Sequence, residues 1–201
     1  QEITEQVTQS FDTNDDGSTD TTITARISTN NAIVWHTGNG NPTGSPITTH
    51  LGWRMDLLNT QLGTNSNNLG ERQVSDSILR NGRIIFTTLI PSNDPCTFGG
   101  TGVLMELDAA DGSRLDESPF DFTADKQFDP DDYINSSGGG GITELPASGK
   151  VSEVGIITSP TILSDKDVEF KFASGSTGGI DSTTENPGPG ATGRQSWKQL
   201  R

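Results

Sequence analysis

Near the start of the chain, oxygen-bearing side chains recur at alternate positions: Asp12, Asn14, Asp16, Ser18 and Asp20, with Gly17 among them. A hard cation such as calcium takes about six to eight oxygens, and an EF-hand-type loop offers them at positions one, three, five, seven and nine, with glycine at six. Position seven gives its backbone carbonyl, so Ser18 needs no side-chain contact. The frame departs at position twelve, where Ile23 stands in place of a bidentate acid, and Asp20 must close the site early. Four aspartates between 12 and 20, with no basic residue among them, repel one another until a cation neutralises them. The alternative is a solvated hairpin turn, since turns use Asp, Asn and Gly in any case.

A second run places Asp121, Thr123, Asp125, Gln127, Asp129 and Asp132 at positions one, three, five, seven, nine and twelve. Its spacing fits the longer loop better than the first run does. Lys126 weakens it, because a β-carbon at the sharp turn and a cation beside the metal both lower affinity. Calcium and a vestigial loop are the two readings open here. Gly188, Gly190 and Gly193 satisfy GxGxxG, but Pro189 interrupts the motif and no strand leads into it, so it reads as loop. His36 and His50 lack a ligand pattern. No GxSxG, Walker or HExxH motif supports hydrolase or nucleotide chemistry. Trp35, Trp53 and Trp197 are expected in the core rather than on a ligand platform. Cys96 either bonds to a cysteine elsewhere or is a buried thiol.

Strands must position these loops. Leu, Ile, Val and Phe number only 43 of 201 residues, gathered in short blocks between polar tracts. EITEQVTQ and TTITARIS alternate at period two, the mark of half-buried strands. RIIFTTLI is apolar on both faces and belongs inside a sheet covered on both sides. GVLMELD puts Val103, Met105 and Leu107 on one face with Glu106 and Asp108 on the other, and turns at DAADG. VEFKF separates Phe170 and Phe172 from Glu169 and Lys171. Residues 135–141 read as a Gly-rich joint, and DPDDYI as a short helix. The net charge of −14 argues against nucleic acid or an anionic membrane as partner. No apolar run approaches a membrane span, and no signal-peptide pattern is present.

Several long words carry a family resemblance. From Gly70 to Asn81, then GRIIFTTLIPSNDPCTFGGTGVLMELDAADGSRLD, FDFTADKQFDPDDY, KVSEVGIITSPTIL, EFKFASGSTGG and the final GRQSWKQLR, the sequence resembles the C-terminal propeller of PilY-type type IV pilus biogenesis proteins. EITEQ, NAIVWHTGNG and GWRMDL fit more loosely, and residues 59–70 look like a polar insertion. The resemblance implies an all-β fold: residues 1–201 as partial, C-terminal blades of a modified β-propeller with inserted calcium-type loops. At about 40–50 residues per blade, the chain makes three or four blades. GRQSWKQLR resembles the family's own C-terminus, so the missing part is expected in front of Gln1.

Early closure at Asp20 resembles that of the shorter calcium loop of PilY-type proteins, but that loop sits in another sequence context and its role is not carried over to the first acidic run. The second keeps the frame of a dockerin-like FDxNxDGxxxxxDY stretch, with Thr123 and Lys126 as departures. The function implied is a non-enzymatic, calcium-modulated component of a pilus-tip adhesin and assembly factor, extracellular on a Gram-negative bacterium. Its expected partners are the N-terminal part of the same protein, minor pilins or other pilus components, and a host or abiotic surface. LDAADG also resembles the Leu-Asp-Ala-x-x-Gly hairpin of quinoprotein-type propellers. A quinoprotein dehydrogenase is therefore one alternative, although Cys96 stands without the vicinal partner such enzymes often use. A purely structural extracellular filament subunit is the other.

Overall fold

The computed structural model describes residues 1–44, 48–59, 69–92, 99–137 and 141–189. Cys96, Trp197, the closing GRQSWKQLR, most of the 59–70 insertion and the centre of the Gly-rich joint lie outside the described residues.

Short alternating segments and polar returns give strands throughout: β1 (Glu2–Phe11), β2 (Thr21–Ser28), β3 (Asp56–Asn59), β4 (Arg72–Gln73), β5 (Ile78–Arg80), β6 (Arg83–Pro91), β7 (Gly100–Asp108), β8 (Ile134–Ser136), β9 (Thr143–Leu145), β10 (Gly149–Val151), β11 (Thr161–Ser164), β12 (Glu169–Ser174) and β13 (Ile180–Glu185). The all-β expectation holds. A large sheet runs β3-β1-β2-β10-β7-β6-β4, with β5 also on β6. Among the described residues only β3 joins it parallel, against β1. β11-β12-β13 form a second sheet and β8-β9 a hairpin. Asn135 and Ser136, expected in the Gly-rich joint, lie in β8, opposite Glu144 and Thr143.

Both faces of β6 and β7 are covered, as the doubly apolar RIIFTTLI requires. One face packs Ile85 and Leu104 with Phe11, Ile23, Phe120, Phe122 and Ile134. The other packs Phe86, Val103, Met105 and Leu107 against Met55, Leu57, Ile84 and Val151. The turn after β7 needs its glycine twice over. Gly112 has φ +71°, and a β-carbon there would strike the Trp53 ring, whose Nε1 donates to the Ala109 carbonyl at 3.2 Å. Trp53 is thus a packing residue. Trp35 departs from the expected core position, at 46% exposed.

Two strands place charge where alternation suggests solvent. Glu106 in β7 is 1% exposed, and in β12 Glu169 and Lys171 are 2% and 1% exposed while Phe172 is 38% exposed. The period is as the sequence indicates, but the charged face turns inward. Arg80 Nε donates to Glu169 at 2.7 Å, and Arg83 Nη1 donates to Glu106 at 2.8 Å. Burial of such charges is tolerable only when each finds an opposite partner. The outward face is left with Phe172, Leu163 and Ile180.

Candidate metal centre

The first acidic run occupies the turn between β1 and β2. Phe11, the last residue of β1, is buried, and the chain leaves the sheet at Asp12. A chain of side-chain to backbone bonds then shapes the loop. Asp12 Oδ2 accepts from Gly17 N at 2.7 Å, Asn14 Oδ1 from Asp16 N at 3.2 Å, and Asp16 Oδ1 from Ser18 N at 2.9 Å. Asp20 Oδ1 closes it, accepting from Thr13 N at 3.1 Å and Thr13 Oγ1 at 2.7 Å. Asp15 and Gly17 take positive φ, 57° and 82°. Ser18 and Thr13 hydroxyls hold the Asp16 and Asp20 carboxyls, respectively, below the usual carboxylate range.

The second run leaves the core just after Phe120, which bridges to Glu185 at the end of β13. Asp121 Oδ2 accepts from Lys126 N at 3.2 Å, and Asp125 Oδ1 from Gln127 N at 2.7 Å. Gln127 Nε2 also donates to Asp125 Oδ2 at 2.9 Å. Asp129 caps the expected short helix, a 3-10 turn at Pro130–Asp132, by accepting from Asp131 N at 2.9 Å. Asp132 points inward and is wholly buried. Its Oδ1 accepts from Phe122 N, Thr123 N and Thr123 Oγ1 at 2.7, 3.0 and 3.2 Å.

The other oxygen of Asp132, Oδ2, and Asp121 Oδ1 are buried without a hydrogen-bond partner. Burial pushes the Asp121 carboxyl up, with some relief from backbone donors. Burial, together with the charge of Asp121, pushes Asp132 up to about 6. Two buried carboxylate oxygens without a hydrogen-bond partner are the chemistry a hard cation satisfies. Among the described residues no group of three or more His, Cys, Asp or Glu side chains is arranged to hold a metal. The fit therefore rests on these two aspartates and the backbone frame around them.

The two runs, more than a hundred residues apart in sequence, meet. The Phe11 and Phe122 rings lie 5.1 Å apart, and Phe122 stacks on Phe120 at 5.5 Å. Gln9 ties β1 to the exit of the second loop, donating to the Tyr133 carbonyl at 3.0 Å and accepting from Asn135 N at 2.8 Å. An open cleft of about 800 Å³ lies between the loops, lined by Asp12, Asp15, Asp125, Asp129, Asp131 and Glu144, with no Lys, Arg or His in its wall. Sequence reasoning missed Gln9 and Glu144, because a glutamine in an alternating strand and an acid in a short hairpin carry no distinctive spacing. His36 and His50 lie in a separate pair of segments, where His36 N donates to the His50 carbonyl at 2.9 Å.

No protein-family model matches the sequence. A type IV pilus biogenesis factor PilY1 homolog of Xylella fastidiosa is 32% identical over 112 residues, 54% of this chain and 8% of that protein. Type IV pilus biogenesis factor PilY1 of Pseudomonas aeruginosa PAO1 is 25% identical over 178 residues, 88% of this chain and 13% of that protein. The chain thus spans about a tenth of the length of these relatives. The crystal structure of the Pseudomonas aeruginosa PilY1 C-terminal domain superposes with a TM-score of 0.65 at 19% identity, covering 94% of this chain and 31% of that one. The expected resemblance therefore holds over most of the chain, and the fold is that of part of the PilY1 C-terminal β-propeller domain.

Proposed function

We propose that this chain is the β-rich, non-enzymatic C-terminal part of a type IV pilus biogenesis factor, acting at the pilus tip in assembly and surface attachment, with calcium setting the state of its acidic loops. The observation that carries the pilus reading is the similarity to PilY1 along 88% of the chain in sequence, joined by the fold match. Partners on this reading are the remainder of the same polypeptide, minor pilins or other pilus components, and the surface gripped by the pilus on the outside of the cell.

The calcium reading is supported by the partnerless oxygens of Asp121 and Asp132 and by the oxygen spacing of Asp12, Asn14, Asp16 and Asp20. A bound divalent cation supplies positive charge and oxygen coordination. The chain's own part is to hold carboxylates that repel one another in loops anchored on Phe11 and Phe122. Neutralising them favours the ordered loop conformation over open ones. Because both loops border one cleft, their state decides the shape and charge that a pilus component meets there.

Calorimetric titration of calcium into chelator-stripped protein tests the calcium reading. Binding that Asp12→Ala and Asp121→Ala each reduce by one site supports it; absence of heat at millimolar calcium overturns it. Pilus display and twitching in cells carrying the same substitutions in the full-length protein test the pilus reading separately.

A further inference from the structure

Inside the molecule four ionisable side chains from four strands meet. Lys171 Nζ of β12 donates to Glu106 Oε2 of β7 at 2.8 Å and to Glu185 Oε2 of β13. Arg83 of β6 holds the other Glu106 oxygen. The Lys171, Glu106 and Glu185 side chains are each no more than 1% exposed. Glu185 sits directly across from Glu169 and therefore diagonal to Lys171, within reach of a long side chain on the same face. Its second oxygen, Oε1, is buried without a hydrogen-bond partner.

The three side chains are not electrostatically equivalent. Burial would raise Glu106, but its hydrogen bond with Glu185 and the charges of Lys171 and Arg83 outweigh that and hold it below the usual carboxylate range. Burial and the neighbouring Glu106 charge push Glu185 well above that range. Burial would lower Lys171, but the Glu185 and Glu106 carboxyls more than offset it. The cluster thus sets the more basic carboxyl, Glu185, and the more acidic one, Glu106, on either side of one amine, sealed from water.

We propose that Lys171 and Glu185 condense to an amide, a covalent side-chain cross-link between β12 and β13, with Glu106 as the catalytic proton carrier. Although the cluster favours the Lys171 ammonium and the Glu106 carboxylate, a transient proton transfer from Lys171 to Glu106 frees the amine, which attacks the Cδ of protonated Glu185. The new N–C bond forms as the carbonyl π bond opens. Collapse of the tetrahedral carbon expels the hydroxyl, which leaves as water with a second proton from the nitrogen relayed through Glu106. The balance is one ammonium, one carboxylic acid and one carboxylate going to one amide, one water and one protonated Glu106. No oxidant or cofactor enters. Contact between amine and carboxyl supplies the proximity that makes such a step unimolecular, and a lysine amine is an established nucleophile once deprotonated. Exclusion of water favours condensation over hydrolysis.

Intact mass under denaturing conditions decides the matter, measured on protein aged until its mass is constant. The expected mass is lower by one water, about 18 Da. Trypsin should then fail to cut after Lys171, so that residues 167–194 come away as a single looped peptide. Dehydration at Asp16–Gly17 or Asp111–Gly112 gives the same loss elsewhere, and fragment spectra must place it between Lys171 and Glu185. Full mass with trypsin cutting after Lys171 overturns the proposal. E106Q is expected to keep the β-sheet circular dichroism but the full mass. A folded E106Q that still loses water at Lys171 would overturn the role of Glu106, and the wild-type mass stands as a test whether or not any variant folds.

Discussion

In the turn after β1 the first-position carboxylate, Asp12, receives the amide of Gly17; after Phe120 the first-position carboxylate, Asp121, receives that of Lys126. Position four has positive φ in each, 57° at Asp15 and 63° at Ala124, and so has position six, 82° at Gly17 and 64° at Lys126. A closing aspartate reaches back to the residues after the first acid in both. The backbone path is shared, yet the electrostatics are opposite. Asp20 closes its loop in water, where hydroxyl donors make ionisation easy. Asp132 closes its loop inside the core, where ionisation is costly. A ligand frame alone therefore does not say what a cation would do: at the first loop it would organise an exposed turn, at the second it would relieve a strained interior.

The strongest way to break this contrast is to remove its common anchor. Phe122→Ala deletes a buried ring stacked on Phe120 and touching Phe11, and should cost about 3–5 kcal/mol in urea unfolding while weakening calcium binding at both loops. A loss confined to the second loop would show that the loops are independent. Next comes Asp132→Asn. The folded value near 6 lies above the ordinary 3.8, so the protonated acid contributes stability that is fully present below 3.8 and lost as pH rises through about 6. In chelator the wild type should become more stable as pH falls from 7 to 5. Asp132→Asn should flatten that slope, leaving the part contributed by the raised Asp121 and Glu185 carboxyls, and be more stable at pH 7 by about 2–3 kcal/mol. A wild type whose urea midpoint is flat over that range would remove the buried-acid side of the comparison.

Smaller effects sharpen the same contrast. Lys126→Gly relieves a side chain held at positive φ, for about 1 kcal/mol, and should tighten calcium at the second loop in calorimetry; unchanged affinity would mean the turn is not the limiting feature. Asp20→Ala should leave the unfolding midpoint where it is and abolish only the first calcium site. A shifted midpoint there would show that the exposed loop contributes to the core after all.

Much of this was legible in the sequence because the signals are local. Period-two alternation located β1, β2 and β12, and the apolar run of β6 announced a strand covered on two sides. Asp and Gly spacing located the first loop, oxygen spacing the second, and DPDDYI the short 3-10 turn. What stayed hidden depended on partners distant in the chain. Glu106 and Lys171 read as a solvated face because nothing local says that Arg83 and Glu185 will arrive beside them. Asp132 read as one ligand among six because spacing does not reveal that Phe122 carries the loop into the core. The proximity of the two loops is set by the Phe11–Phe122 contact and the Gln9 bridge, which no pattern in either segment foretells.

The inward-turned charge of β12 has a consequence for how this sequence can drift. In most strands the apolar positions resist change and the charged ones vary freely. Here a library of random substitutions should show the reverse, with Leu163, Phe172 and Ile180 accepting serine or threonine in the chain studied alone, while exchanges that change the size or remove the charge of Lys171 and Arg83 are purged.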